Sequence, residues 1–420
     1  MEQIALPCGH VLRSPLVKAP LFEAMADKHG VPTERYVRLY SRFAENADIS
    51  LLVTGNIMVT PKGNNFPGTV CLTSQDNVGM TSQTVRCLYT TALNVSAHCH
   101  QLRLIGELNH GGRTVPKNLY RSNFAGNQSG LYHKKVIACT KRRPTENLVS
   151  YARPLSILEE LRSYGLCDTP ILDEVIADFA NAAHCLVMRC AFNGVHINAA
   201  GEYLLGDILR NDGWSVLRTL LRSVRQAIGR FSILGLKISF PQIDILRFLG
   251  NLATLVCDPH ISIDILDIST LDYIAQSDET YPREVGTVLR EILAHKGSIC
   301  RLMVTGGFRS KLQAEIFRNE TGVSLVGFGR PFCLPEPFGE NTALIVAQDL
   351  PMTRGERAMV KALKPLIPHL SLPLSTLYWV QCLHALADGT VRTNLEVSKI
   401  LRPKKILAWY MSWCYRRSPS

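Results

Sequence analysis

The 420-residue sequence has no apolar run near the roughly 18–20 residues of a membrane-spanning helix, and no apolar signal core follows its first residues. It has no C-x-x-C pair among its 13 cysteines, which are scattered through apolar segments and read as reduced core residues of a cytoplasmic protein. Charged residues are sparse, at 19% against 46% apolar, so disordered, collagen-like, disulfide-stapled and low-complexity classes are excluded. The trio His98, Cys99 and His100 is too tight for a metal site, because adjacent residues on one helix point in different directions, and no metal is expected.

Acidic residues are the scarcer charge, and the net +11 is unevenly spread. Eight basic residues from Lys117 to Arg153 face only Glu146, and seven from Arg392 to Arg417 face only Glu396, so the rest of the chain is nearly neutral. The first basic stretch has no recognisable binding module, so a nucleic-acid partner is not expected and a small-molecule substrate is.

Short apolar runs alternate with amphipathic stretches, the pattern of parallel strands joined by crossover helices. Strands are predicted at 51–59, 103–109, 194–199, 233–240, 263–268, 302–305 and 324–328, and helices at 171–190 and from near Ser215, Ile243, Pro282 and Ser310. Strands apolar on both faces argue for a sheet covered on both sides, and the length of the series favours a closed (β/α)8 TIM barrel over an open sheet. The barrel is expected over residues 1–345, with 114–156 as a basic surface excursion. A helical tail at 346–420 would contain segments 375–387 and 406–415.

Two glycine and arginine sets follow consecutive strands: Thr305-Gly306-Gly307-Phe308-Arg309 and Gly327-Phe328-Gly329-Arg330-Pro331. Glycine lets backbone N–H groups approach a ligand and arginine grips phosphate with a fork of donors, so a phosphate site is expected there. Lys237 stands in the apolar strand Ile233 to Ile238, on one face with Ser239, where a cation needs a facing anion.

These segments, with Val17-Lys18-Ala19-Pro20, Leu51-Leu52-Val53-Thr54-Gly55, Leu108-Asn109-His110-Gly111-Gly112-Arg113 and Ala199-Ala200 before Tyr203-Leu204-Leu205, resemble in order and spacing the old yellow enzyme family of flavin oxidoreductases. The resemblance implies a TIM barrel that holds FMN at the C-terminal ends of its strands, with NAD(P)H as reductant and an activated alkene or quinone-like acceptor. It implies that Gly306, Gly307, Phe308, Arg309, Gly329 and Arg330 hold the FMN phosphate, and that Ala19, Pro20 and Gly55 lie against the ring. It further implies that Lys237 sits beside flavin N1 and O2, and that Tyr203 is the proton donor.

Departures from the family pattern concentrate at the same site. Asn198 and Gly201 stand where the family has a histidine pair, or histidine and asparagine, that holds the substrate carbonyl, and Asn198 alone keeps a donor. His196 is expected to face away from Asn198. Glu107 replaces a glutamine at the flavin, Phe22 a small polar residue, and Glu202 a glycine, while the loop after Leu209 is short. Two readings follow: an FMN-dependent NAD(P)H oxidoreductase, or a catalytically impaired relative that acts through flavin binding.

Overall fold

The computed structural model describes residues 2–66, 68–72, 82–112, 169–201, 203–210, 212–239, 245–269, 280–347, 358 and 371–400. The basic segment 114–156, the tail piece 406–415 and Glu202 lie outside the described residues.

A hairpin of β1 (Ile4–Ala5) and β2 (Val11–Leu12) precedes eight parallel strands that close on themselves. In chain order these are β3 (Leu16–Lys18), β4 (Leu51–Met58), β6 (Arg103–Asn109), β7 (Gly194–Ala199), β8 (Ile233–Ile238), β9 (Ile265–Ser269), β10 (Arg301–Thr305) and β11 (Leu325–Phe328); β5 (Val70–Cys71) is a short parallel addition to the end of β4. The ring closes where β3 pairs with both β11 and β4. The sequence reading anticipates seven of the eight, with ends within two residues. β3 escapes it because three residues carry no periodicity.

Alternation along each strand sorts the residues. Outward ones, among them Leu52, Leu104, Val195, Leu234, Leu266, Val304 and Val326, merge with the helices into one large core. Inward ones form two tiers. The lower tier is apolar: Val17, Leu51, Val53, Ile105, Ile233, Ile265, Met303 and Leu325 cluster with Ile4, Leu6, Cys8 and Leu12 of the hairpin, which plugs the N-terminal mouth. Above it, toward the strands' C-terminal ends, the interior turns polar. That change of tier positions the site.

Helices flank the barrel where the apolar spacing predicted them. Helix Thr169–His184 runs into a π-helical turn, Cys185–Arg189, and Lys311–Thr321 starts at Ser310, whose hydroxyl accepts from the Gln313 N–H. In the tail, Ser371–Ala387 packs against Glu34–Ala44; Arg35 and Arg38 pair with Asp388 beyond its end, and His384 Nε2 lies 3.0 Å from the Glu23 carbonyl oxygen. Among the described residues no helix is long and apolar enough to cross a membrane.

One buried ion pair ties the plug to the barrel wall. Arg225 spends its five N–H donors on Asp264 and on the carbonyls of Gly229, Ser232, Ile261 and Ser262. Asp264, fully buried, also accepts from the backbone N–H of Cys8 at 2.7 Å and of Leu234 at 2.8 Å. Breaking such a pair strands the other charge, so Arg225→Met is expected to cost about 3–5 kcal/mol of stability. Urea unfolding curves check this, and an unchanged midpoint would mean that the hairpin is held by apolar packing alone.

Candidate active site

Glu107 projects from β6 into the upper tier and is only 1% exposed. A buried carboxylate needs donors on both oxygens. Its Oε2 lies 3.1 Å from His196 Nδ1 and 3.4 Å from Lys237 Nζ, and its Oε1 accepts from Asn198 Nδ2 at 3.0 Å. Burial, the largest influence, pushes its pKa up, but Lys237 and His196 together outweigh it and hold the carboxyl below its ordinary value. Lys237 and Asn198 thus meet at an anion supplied by the chain itself.

The expectation that His196 faces away from Asn198 is wrong. Residues two apart on a strand share a face, and both side chains of β7 turn inward onto Glu107. The His196 ring is fully buried, with Nε2 3.6 Å from Asp267 Oδ2 of β9. Asp267 Oδ1 accepts from the Thr305 hydroxyl of β10 at 2.7 Å. Burial pushes the Asp267 pKa up despite the neighbouring His196 and Lys237. A polar row therefore spans five strands.

A second branch climbs to the rim. Asn198 Nδ2 also donates to Asn56 Oδ1 at 3.1 Å, and Asn56 Nδ2 donates to the Tyr203 hydroxyl oxygen at 3.3 Å. Asn56 is a site residue that motif reading missed. It turns inward because the β4–β6 register slips between Val53 and Asn56, and such a bulge re-aims a side chain. Gly55, a glycine inside a strand run, was the available signal. Gly201 adopts φ +62°, a left-handed conformation that favours glycine, and its N–H donates to Ser239 Oγ at 2.7 Å.

The two glycine and arginine sets end adjacent strands, β10 and β11. Gly306 and Gly307 have φ of +125° and +80°, and nothing lies within 4 Å of where a Gly307 side chain would begin. Arg309 carries a buried Nε with no partner, while its backbone N–H is held by Gln313 Oε1 at 2.9 Å. Gly329 opens toward Leu21, and Arg330 starts the 3-10 turn Arg330–Cys333. The Phe308 ring belongs to the core, edge-on to Phe317 at 5.0 Å, so only its backbone faces this corner.

On the other side of the site, Ala19 N–H donates to the Phe328 carbonyl and Pro20 leads into a strap that ends at Ala24. Glu23 in this strap accepts from the Gly55 N–H at 2.8 Å and the Tyr40 hydroxyl at 2.6 Å, with Lys18 Nζ 3.6 Å away. Burial drives the Lys18 pKa down and those of Tyr36 and Tyr40 well up. The Gly55 amide therefore points at Glu23, and a side chain at this position would begin 1.9 Å from the Leu21 carbonyl oxygen. Phe22 stacks edge-on to Phe66 at 4.5 Å. Among the described residues no three His, Cys, Asp or Glu side chains gather as metal ligands.

No protein-family model matches the chain. It is 23% identical over 378 residues to the NADH-dependent flavin oxidoreductase iliE of Hypocrea jecorina, a match covering 78% of this chain and 84% of that protein. It is likewise 23% identical over 365 residues to the NADH-dependent flavin oxidoreductase iccE of Talaromyces variabilis, covering 79% and 83%. Among solved structures it superposes on the old yellow enzyme of Trypanosoma cruzi with a TM-score of 0.60 at 17% identity, over 79% of this chain and 88% of that one. Morphinone reductase gives 0.61 at 17%, over 83% and 91%. The chain is thus a distant relative of the NADH-dependent flavin oxidoreductases, built on the TIM barrel of the old yellow enzymes.

Proposed function

We propose that the chain binds FMN at the C-terminal end of its barrel and acts as an oxidoreductase, taking hydride from NAD(P)H and giving it to an activated alkene or quinone-like acceptor. The observation that carries this reading is the buried, unpartnered Nε of Arg309 beside Gly307, where open space adjoins backbone. A guanidinium donor left unsatisfied in a polar corner at the last two strands suits a phosphate. The donor set fits FMN. Gly306, Gly307, Arg309, Gly329 and Arg330 would hold its phosphate, and Lys237 would face the ring from the floor. When bound, FMN supplies the hydride carrier that no side chain can.

The chain's own residues then orient and protonate. Tyr203 stands at the rim with its oxygen receiving a hydrogen bond from Asn56. A donor on that oxygen stabilises the phenolate left when the proton departs, which suits a general acid. Asn198 fixes Asn56 from below, and its carbonyl oxygen accepts from the Ala200 N–H at 3.1 Å, so the amide's orientation is set.

A second reading is a relative that binds flavin with impaired turnover. It is favoured by Asn198 Nδ2 and Lys237 Nζ, both of which lie on Glu107, and by Gly201, which has no side chain to hold a carbonyl oxygen. Purified protein loaded with FMN and bleached anaerobically by NADH or NADPH separates the two: the first reading requires bleaching and reoxidation by an acceptor, the second a yellow protein that does neither.

Two substitutions follow. Arg309→Gln removes a charge-assisted contact of about 1.5–3 kcal/mol, so it should weaken FMN roughly 10- to 100-fold and leave riboflavin, which has no phosphate, unaffected. Fluorescence titration measures both, and equal losses would contradict the phosphate assignment. Tyr203→Phe should slow acceptor reduction by a factor on the order of 10² or more while leaving reduction of the flavin by nicotinamide intact in stopped-flow traces. Equal loss of both steps would remove Tyr203 as the acid.

A further inference from the structure

The row Glu107, His196, Asp267 is more than a set of paired charges. The barrel makes room for it: a side chain at Gly235 would begin 2.3 Å from His196 Cδ2, and one at Gly327 would begin 2.3 Å from Thr305 Oγ1. Glycine on β8 admits the imidazole, and glycine on β11 admits the hydroxyl that holds Asp267. Two buried polar atoms, His196 Nε2 and Asp267 Oδ2, have no hydrogen-bond partner, and they face each other at 3.6 Å. Two orphaned atoms half an ångström or so beyond bonding distance, one on a base and one on an acid, form the ends of an unclosed hydrogen bond.

We propose that Asp267, His196 and Glu107 form a buried proton-sharing triad that moves a negative charge between the pocket floor and the barrel wall. In the resting arrangement Asp267 carries a proton on Oδ2, His196 is neutral with its hydrogen on Nδ1, and Glu107 is ionised against Lys237 and Asn198. When negative charge arrives at Lys237, the Asp267 O–H bond breaks as an N–H bond forms at His196 Nε2. The Nδ1–H bond breaks in turn, and its proton passes to Glu107 Oε2. Two protons and one negative charge are present before and after. The charge has moved to Asp267, where the Thr305 hydroxyl donates to it, and no proton is exchanged with solvent.

The directions of the carboxyl pKa values, with Glu107 held down and Asp267 pushed up, agree with the resting arrangement. The groups that face the triad are Lys237 from β8, Asn198 from β7 and Thr305 from β10, and the charge of Lys18 also reaches Glu107. Of the charged groups among these, Lys237 is partly exposed, with 14% of its side chain accessible, whereas Lys18 is fully buried. A ligand anion therefore acts on the triad through Lys237. The device is indifferent to what the ligand is, and its test needs no flavin.

Removing the Lys237 charge imitates its capture by an anion. In the ligand-free protein with isotope-labelled histidine, the His196 ring signal, assigned by its loss in His196→Gln, should report hydrogen on Nδ1 in the wild type and on Nε2 in Lys237→Met. Lys237→Gln serves equally if the first variant does not fold. Infrared spectra give a second measure. The wild type should show a buried protonated carboxyl that disappears in Asp267→Asn and persists in Glu107→Gln, and in the Lys237→Met background that dependence should reverse. An unchanged His196 tautomer, a doubly protonated His196, or a wild type without a protonated buried carboxyl would each overturn the proposal.

Discussion

Much of this site is arranged around one ionised carboxylate held out of water in the middle of a barrel. Glu107 cannot be left bare at 1% exposure, because a buried charge without partners costs several kcal/mol or shifts its pKa until it is neutral. Lys237, His196 and Asn198 converge on it for that reason, from two neighbouring strands of the wall. Once they have converged, their other polar atoms are also fixed. Asn198 positions Asn56, and Asn56 positions Tyr203. A residue at the rim is held by a charge at the floor.

That arrangement requires the lower half of the barrel to be dry and rigid. The apolar tier from Val17 to Leu325, stoppered by the hairpin, places buried apolar side chains between the polar row and the N-terminal mouth. The two tiers are adjacent turns of the same alternation, so a one-residue slip of any strand would exchange an apolar side chain for a polar one in the interior. Parallel pairing on both sides of every barrel strand, and the bolt between Arg225 and Asp264, hold that register. At the other end the tail helix reaches the strap through His384, which caps the Glu23 carbonyl while the Glu23 carboxylate holds the Gly55 amide. The strap is therefore pinned from both the tail and the barrel.

The sequence made the barrel legible because buried parallel strands are apolar on both faces and stand out between amphipathic helices. Strand β3 was hidden by its three-residue length, although its motif, Val17-Lys18-Ala19-Pro20, was noticed for other reasons. Of the site, Lys237 was visible as a cation in an apolar strand, and Glu107, Asn198 and Tyr203 through the resemblance to the old yellow enzymes; hydrogen bonds link all four, Tyr203 by way of Asn56. Asn56 was not visible, because simple alternation assigns it to the outer face and only the bulge after Val53 turns it in. His196 was misplaced by counting alternation wrongly, and Asp267 belongs to no motif that would single it out. Neither could be paired from sequence, since the partners lie on different strands and the contact depends on barrel closure and on the missing side chain at Gly235.

A magnitude decides how the floor treats a ligand. Two unit charges 3.4 Å apart, the Lys237 to Glu107 separation, attract by roughly 5 kcal/mol at an effective dielectric constant of about 20. A neutral carbonyl oxygen, with a fraction of a charge, cannot draw the ammonium away from Glu107 against that attraction. A ligand atom that gains a full negative charge can compete on equal terms. A lysine pointing into the pocket by itself would hold either kind of oxygen, whereas a lysine already paired responds selectively to charge that develops during reaction. The departure from glutamine to glutamate at position 107 then makes the floor weak toward a neutral ground state while leaving its response to an anion intact, and interactions that strengthen only as charge develops are the ones that lower a barrier.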